Sequence, residues 1–300
     1  MSLVKSLSVG NGDMFYIKHG SDSFTSIDCC MTDDNQEEIM DEIIEQSKGK
    51  GITRFISTHP DDDHFQHIEY YNERKSIENF YCVENEATKT DETDSFKKYK
   101  EIRDGEKAFY VYKGCSRKWL NKGDSVRKGA GLHFLWPDTD NEDYKDALKQ
   151  AKEGKSPNNI SLIVQYNCGA KFLWMGDIET DFLEKVKDEI DFEEIDVLFA
   201  PHHGRESGKI PEDILTVLNP KIVVIGEAKS KDLNYYSGYN TITQNSAGDI
   251  TFDCVDGKVH IYVGSDTYSV DFLNDEKQDA YDNYICLLYT SDAADDMQCV

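Results

Sequence analysis

The chain has 300 residues, with 58 Asp and Glu against 33 Lys and Arg, a formal charge of −25, and 38% hydrophobic residues. That fraction suffices for a packed core in one large domain or two small ones, while the charge excludes a generic polyanion binder, since nucleic-acid binding runs on surface Lys and Arg. No run approaches the ~18 apolar residues of a membrane helix. Lys5 and the early glycines interrupt any signal-like segment, and eight cysteines without a CxxC pair form neither a disulfide framework nor a zinc knuckle, so a cytoplasmic location is expected.

In chain order, VGNGDMFYIKHGSDSFTSIDCC predicts two strands around a polar turn at His19 to Ser23, with apolar residues alternating. DDNQEEIMDEIIEQSKGKG predicts an amphipathic helix capped at Asp33 or Asp34, with Ile39, Met40, Ile43 and Ile44 on one stripe. It leads into ITRFIS, a short buried strand. ISLIVQYNCGAKFLWMGDIE predicts two strands about a turn at Asn167 to Gly169, and DVLFA a further strand that ends at Pro201-His202-His203-Gly204. PKIVVIGE is another strand, and ITFDCVDGKVHIYVG a hairpin about Asp256-Gly257. Residues 80–155 are the least regular, with helical stretches near 91–105 and 141–153, and are expected to be an insertion in a single domain spanning 1–285. The final segment 286–300, CLLYTSDAADDMQCV, resembles a translated transposase sequencing adapter and is expected to be a non-native tail.

Three of these strands expel ligand-type side chains at their C-terminal ends, where α/β architectures place sites. The first is Thr58-His59-Pro60-Asp61-Asp62-Asp63-His64. In extended backbone His59, Asp61 and Asp63 share one side and His64 turns to a neighbouring point. Imidazole nitrogens and carboxylate oxygens at this spacing suit two adjacent divalent cations. Asp177, in WMGD, and the His202-His203 pair supply donors from the other two strand ends. His202 is as well suited to a supporting role as to direct ligation. His19, His67, His133 and His260 are given no functional role.

One local exception breaks the acidic average. Residues 96–128 carry eleven Lys and Arg against four Asp and Glu, a net of +7 that leaves −32 for the rest of the chain. The segment reads either as a solvated face or as a positive lip over an anionic substrate. In the second reading Lys113, Arg117 and Lys118 bind substrate, with Tyr110, Tyr112 and Trp119 interleaved to stack bases.

The H-x-D-x-D-H stretch resembles the H-x-H-x-D-H motif of the metallo-β-lactamase fold hydrolases. SVGNGDMFYI, NNISLIVQY, FLWMGDIE, DVLFAPHHG and TITQNSAGDITFDCVDGKVHI resemble successive blocks of the hydrolase domain of ComEC-type DNA-uptake proteins. The resemblance implies an αββα sandwich, two mixed sheets flanked by helices with metals at one edge. It implies His59 and Asp61 at metal site 1, Asp63, His64 and His203 at site 2, Asp177 at both, and Asp28, in SIDCC, as a supporting residue. Asp61 stands where the family usually has His, and the third His of site 1 is missing, its region holding Asn158 and Asn159. Two divalent ions, zinc or manganese, are expected, with site 1 leaning from tight zinc toward manganese, magnesium or a weakly held zinc and expected to be weak or empty.

A metal-dependent hydrolase follows, in which a water activated between the ions attacks an ester, with Asp63 and Asp177 as catalytic carboxylates. The expected substrate is a phosphodiester in a nucleic-acid end, an oligonucleotide or a nucleotide, bound in part by Asn159, with neither long duplex nor membrane as partner. The alternatives are a small-molecule ester, thioester, lactone or lactam hydrolase, a diiron redox protein, for which no flavin partner domain is present, or a non-catalytic metal-binding module.

Overall fold

The computed structural model describes residues 1–273, apart from 230, 232 and 256, and the backbone of 274–275 and 285–290. The hairpin and strand about residue 256 therefore have one position, Asp256, outside the described residues, as does 291–300 of the expected tail.

The first half of the chain contains β1 (Ser2–Ser6), β2 (Phe15–Lys18), β3 (Ser23–Ile27), β4 (Cys29–Cys30), α1 (Gln36–Gln46), β5 (Ile52–Ile56), β6 (Phe65–Gln66), α2 (Ile68–Arg74), β7 (Phe80–Cys82), α3 (Asp94–Arg103), β8 (Ala108–Tyr110), β9 (Leu132–Trp136) and α4 (Glu142–Lys152). The second contains β10 (Ile163–Asn167), β11 (Lys171–Trp174), α5 (Thr180–Val186), β12 (Val197–Phe199), α6 (Glu212–Leu218), β13 (Ile222–Ile225), β14 (Thr241–Thr243), α7 (Gln244–Ala247), β15 (Ile250–Val255), β16 (Lys258–Val263), β17 (Asn274–Asp275) and β18 (Ile285–Thr290).

One sheet runs β17-β18-β16-β15-β1-β2-β3-β5-β7-β8, and the other β14-β13-β12-β11-β10-β9. Each is mixed: β2 pairs antiparallel with β3, then β3, β5, β7 and β8 run parallel. In the other, β10 and β11 are antiparallel and β11, β12, β13 and β14 run parallel.

The period-two rule explains how one strand serves two layers. Along β2, Phe15 and Ile17 enter the core between the sheets, whereas Tyr16 packs on the outer face with Phe24, Phe55 and Phe80 under α1, α2 and α3. Ile39, Met40 and Ile43 are the buried face of α1. Its first turn is entered through Asn35, not Asp33 or Asp34, because the Asn35 side chain accepts the Thr32 N–H at 2.7 Å and fixes the preceding bend.

Between the sheets, Phe15 from one meets Trp174 and Phe199 from the other at ring separations of 6.0 and 4.9 Å, and Trp174 stacks on Phe199 at 4.7 Å. Tyr144 of α4 and Phe182 of α5 both meet Trp136 on the far side of the second sheet. The layers are therefore helix, sheet, sheet, helix, the αββα order that the resemblance implies. Residues 80–155 do not stand outside this order. They supply β7 and β8 to one sheet, β9 to the other, and α4 to its cover. Among the described residues no helix is long and apolar enough to cross a membrane.

Candidate metal centre

Strands β3, β5, β11 and β12 all end at one edge of the sandwich, and each is followed within four residues by ligand-type side chains. Asp28 follows β3, Thr58 and His59 follow β5, Asp177 follows β11, and His202 and His203 follow β12. The turns are tight: Asp28, His202 and His203 adopt left-handed backbone at φ 56°, 53° and 55°, which costs a non-glycine residue about 1–3 kcal/mol. Such strain persists only where surrounding contacts hold it, and these contacts are polar.

Asp28 is fully buried and accepts three bonds: from the Thr58 N–H at 2.7 Å, the Thr58 hydroxyl at 2.6 Å, and His64 Nδ1 at 2.8 Å. His203 Nδ1 is held at 3.0 Å by Asp13 Oδ1. The Asp177 N–H donates to the Ser161 hydroxyl at 3.0 Å. Gly176 has φ 55°, and a Cβ there would lie 2.7 Å from Ser161 Oγ, so only glycine brings Asp177 this close.

The result is four side chains, Asp63, His64, Asp177 and His203, each offering an atom within 4.8 Å of the others. His64 Nε2 lies 3.1 Å from Asp177 Oδ1, and His203 Nε2 is 3.4 Å from Asp63 Oδ2 and 3.6 Å from Asp177 Oδ2. Yet His64 Nε2, His203 Nε2 and Asp177 Oδ1 are buried with no hydrogen-bonding partner, as is His59 Nε2. Each orphan costs roughly 1–3 kcal/mol unless something else engages it.

The charge balance has the same sense. Burial alone would lower the pKa of His64 and His203, but the carboxylates of Asp177 and Asp28 hold His64 well above its usual value, and those of Asp13 and Asp177 lift His203 to about 10. Burial would raise Asp63, and the imidazoles of His203 and His64 outweigh it and hold that carboxyl down. Two imidazoles are thus drawn toward positive charge by carboxylates packed around them. A dication would supply that positive charge in place of the protons: with Nε2 deprotonated, two imidazole nitrogens and two carboxylates, oriented by further carboxylates behind them, make the donor set of a divalent ion, and the residues present fit one.

His59 and His202 stand at the margins. The His59 ring packs 4.1 Å from that of His64, and burial followed by His64 lowers its pKa to about 4, so it stays a neutral imidazole. His202 is engaged by the Ser207 hydroxyl at 2.8 Å and by Arg205 at 3.1 Å, with Nε2 3.6 Å from Asp177.

Asp61 leaves the cluster. The extended alternation expected of the motif is broken by a 3₁₀ turn at Asp62–His64, which Asp61 caps by accepting the Asp62 N–H. Its carboxylate then pairs with Lys89 at 2.7 Å. Asn159 is likewise occupied, exchanging hydrogen bonds with Glu179.

The basic segment lies elsewhere. Trp119 carbonyl accepts from Arg54, Ala130 carbonyl from His19, and Arg127 carbonyl from the Asp22 N–H, contacts that gather at the start of β3, roughly 16 Å of strand from Asp28. Lys113 pairs with Asp191 at 2.9 Å, Arg117 covers Phe109 at 4.7 Å, and Lys118 covers Trp119 at 4.4 Å. Their positions give no support to the expected substrate-binding role, because their contacts are with Asp191, Phe109 and Trp119 and with no residue of the cluster.

The sequence pattern does not mark Thr58, Ser161, Lys89 or Arg205 as parts of a site, and marks Asp13 only faintly. Asp13 carried the one legible signal, a carboxylate immediately after the Gly-rich turn GNG.

No protein-family model matches the chain and no curated protein does. Among solved structures, it is similar to a presumed Zn-dependent hydrolase of the metallo-β-lactamase superfamily from Thermotoga maritima, at 14% identity over 77% of this chain and 78% of that one, with a TM-score of 0.34.

Proposed function

We propose that the protein is a metal-dependent hydrolase whose divalent ion is held by Asp63, His64, Asp177 and His203. The observation that carries the reading is the convergence of these four donors within 4.8 Å, with orphaned buried atoms at its centre. A bound zinc or manganese ion would supply Lewis acidity and bring a water's pKa toward neutrality.

The side chains divide the remaining work. His64 and His203 are wholly buried and Asp177 is 3% exposed, whereas Asp63 is 23% exposed. Asp63 is therefore the member of the cluster that solvent and substrate reach, and the carboxylate placed to orient a water and take its proton. Asp28 and Asp13 fix the two imidazoles with Nε2 pointing inward, the tautomer that leaves that nitrogen free to donate its lone pair.

For substrate we favour an anionic ester, a phosphodiester of a nucleotide or short oligonucleotide. Beside His202 lies a cavity of about 1010 Å³ whose lining includes three cations, Arg205, Lys229 and Lys231, and two acids, Glu206 and Glu227, with Asn11 and Ser207. Arg205 and Ser207 both bond His202, so positive charge borders the cluster on this side, matched to phosphate. The acidic remainder of the surface disfavours a long polyanion.

The test is a panel of bis-p-nitrophenyl phosphate, short oligonucleotides, carboxylic esters and lactones with Mn²⁺ and Zn²⁺, run alongside Asp177→Ala. Phosphodiester cleavage lost in the variant supports the proposal. Cleavage of carboxylic esters alone transfers the protein to the small-molecule hydrolases, and no turnover with bound metal makes it a binding module.

A further inference from the structure

The segment that supplies Asp63 and His64 carries two further carboxylates, and neither enters the cluster. Asp61 and Asp62 are instead bridged by one ammonium group, Lys89 Nζ, at 2.7 and 2.6 Å. The lysine is held in place. Its side chain is 18% exposed, and its Nζ lies 5.3 and 5.7 Å from the ring centroids of Phe65 and Phe96.

A second ion beside the first would draw on His59 and on Asp177, both with buried unpartnered atoms. These are two protein donors, where a catalytic ion takes three. Asn158, whose buried Oδ1 is also unpartnered, adds only a neutral oxygen. The carboxylate that would complete the set, Asp61, is committed to Lys89, and an added dication would meet that ammonium's repulsion.

Resting on the hydrolase reading above, we propose that the centre binds one divalent ion and that Lys89, by engaging Asp61 and Asp62, takes the charge-balancing place of a second. Asp61 is then a counter-charge to lysine and not a metal ligand.

The experiment is metal stoichiometry on the full chain, stripped with chelator and titrated with Mn²⁺ or Co²⁺, read by elemental analysis and by the Mn²⁺ spin-resonance signal. One ion per chain is expected at saturation, with no spin coupling. Asp61→Asn should keep one ion, and Lys89→Met should admit a second. Two ions in the wild type, loss of the ion in Asp61→Asn, or a folded Lys89→Met that still binds one each overturns the role given to Lys89 while leaving the hydrolase reading intact. No ion in the wild type overturns the hydrolase reading instead. Asp61→Asn decides the matter if Lys89→Met does not fold.

Discussion

Asp13 and His203, 190 positions apart in sequence, meet through a 3.0 Å hydrogen bond between carboxylate Oδ1 and imidazole Nδ1. The Asp28–His64 bond at 2.8 Å repeats the arrangement from the other side of the cluster. Each pair joins a strand-end histidine to a carboxylate delivered by a different strand, so the imidazole direction is set by the packing of the sandwich itself.

Removing such a partner typically costs 10–100-fold in metal affinity. Asp13→Ala should weaken ion binding by about that factor while circular dichroism stays unchanged, as measured by competition with a chelator of known affinity. Affinity equal to the wild type would show that His203 needs no such support.

Gly176→Ala should disturb the centre without touching a donor. The residue sits at φ 55° and its new Cβ would press within 3 Å of both Ser161 Oγ and Cβ, so a loss of about 1–3 kcal/mol is expected. Urea denaturation measures it, and an unchanged midpoint would mean that Ser161 gives way freely.

Phe199 is 5% exposed and contacts Phe15, Trp174 and Phe252 across the intersheet core. Phe199→Ala should cost about 3–5 kcal/mol, the cavity penalty for a buried aromatic. A shift in denaturation midpoint equivalent to less than about 1 kcal/mol, within the range of ordinary surface changes, would contradict that packing.

His19 gives a pH dependence independent of the metal centre. It is buried between the Thr25 hydroxyl and the Ala130 carbonyl, and burial first, then the Arg54 charge, hold its pKa well below 6.5. The folded state stays neutral where the unfolded chain takes up a proton. Stability is therefore unaffected by His19 above about pH 6.5 and falls below it, by up to about 1.4 kcal/mol per unit. The stability gap between wild type and His19→Asn should narrow from pH 7 to pH 5, measured by denaturation at each pH. A gap constant with pH would refute the assignment.

The sequence made the alternating layers and the strand-end donors legible for a common reason. Residues such as Phe15, Ile17, Asp177 and His203 obey strand periodicity and punctuation, which are local. Asp61 escaped because a single 3₁₀ turn, undetectable in a run of aspartates, rotates it away from Asp63 and toward Lys89. The basic segment escaped for another reason: composition records how much charge it carries, whereas the contacts of Arg54 with Trp119 and of Asp22 with Arg127 decide the end of the sheet at which it lies.

The four donors come from the ends of β5, β11 and β12, and their two carboxylate props from positions 13 and 28. A chain emerging from the ribosome thus carries no complete cage until β12 has been made and seated against the older sheet. Cation capture would thus tie the two sheets together at their shared edge, and would wait for strands from both halves of the chain.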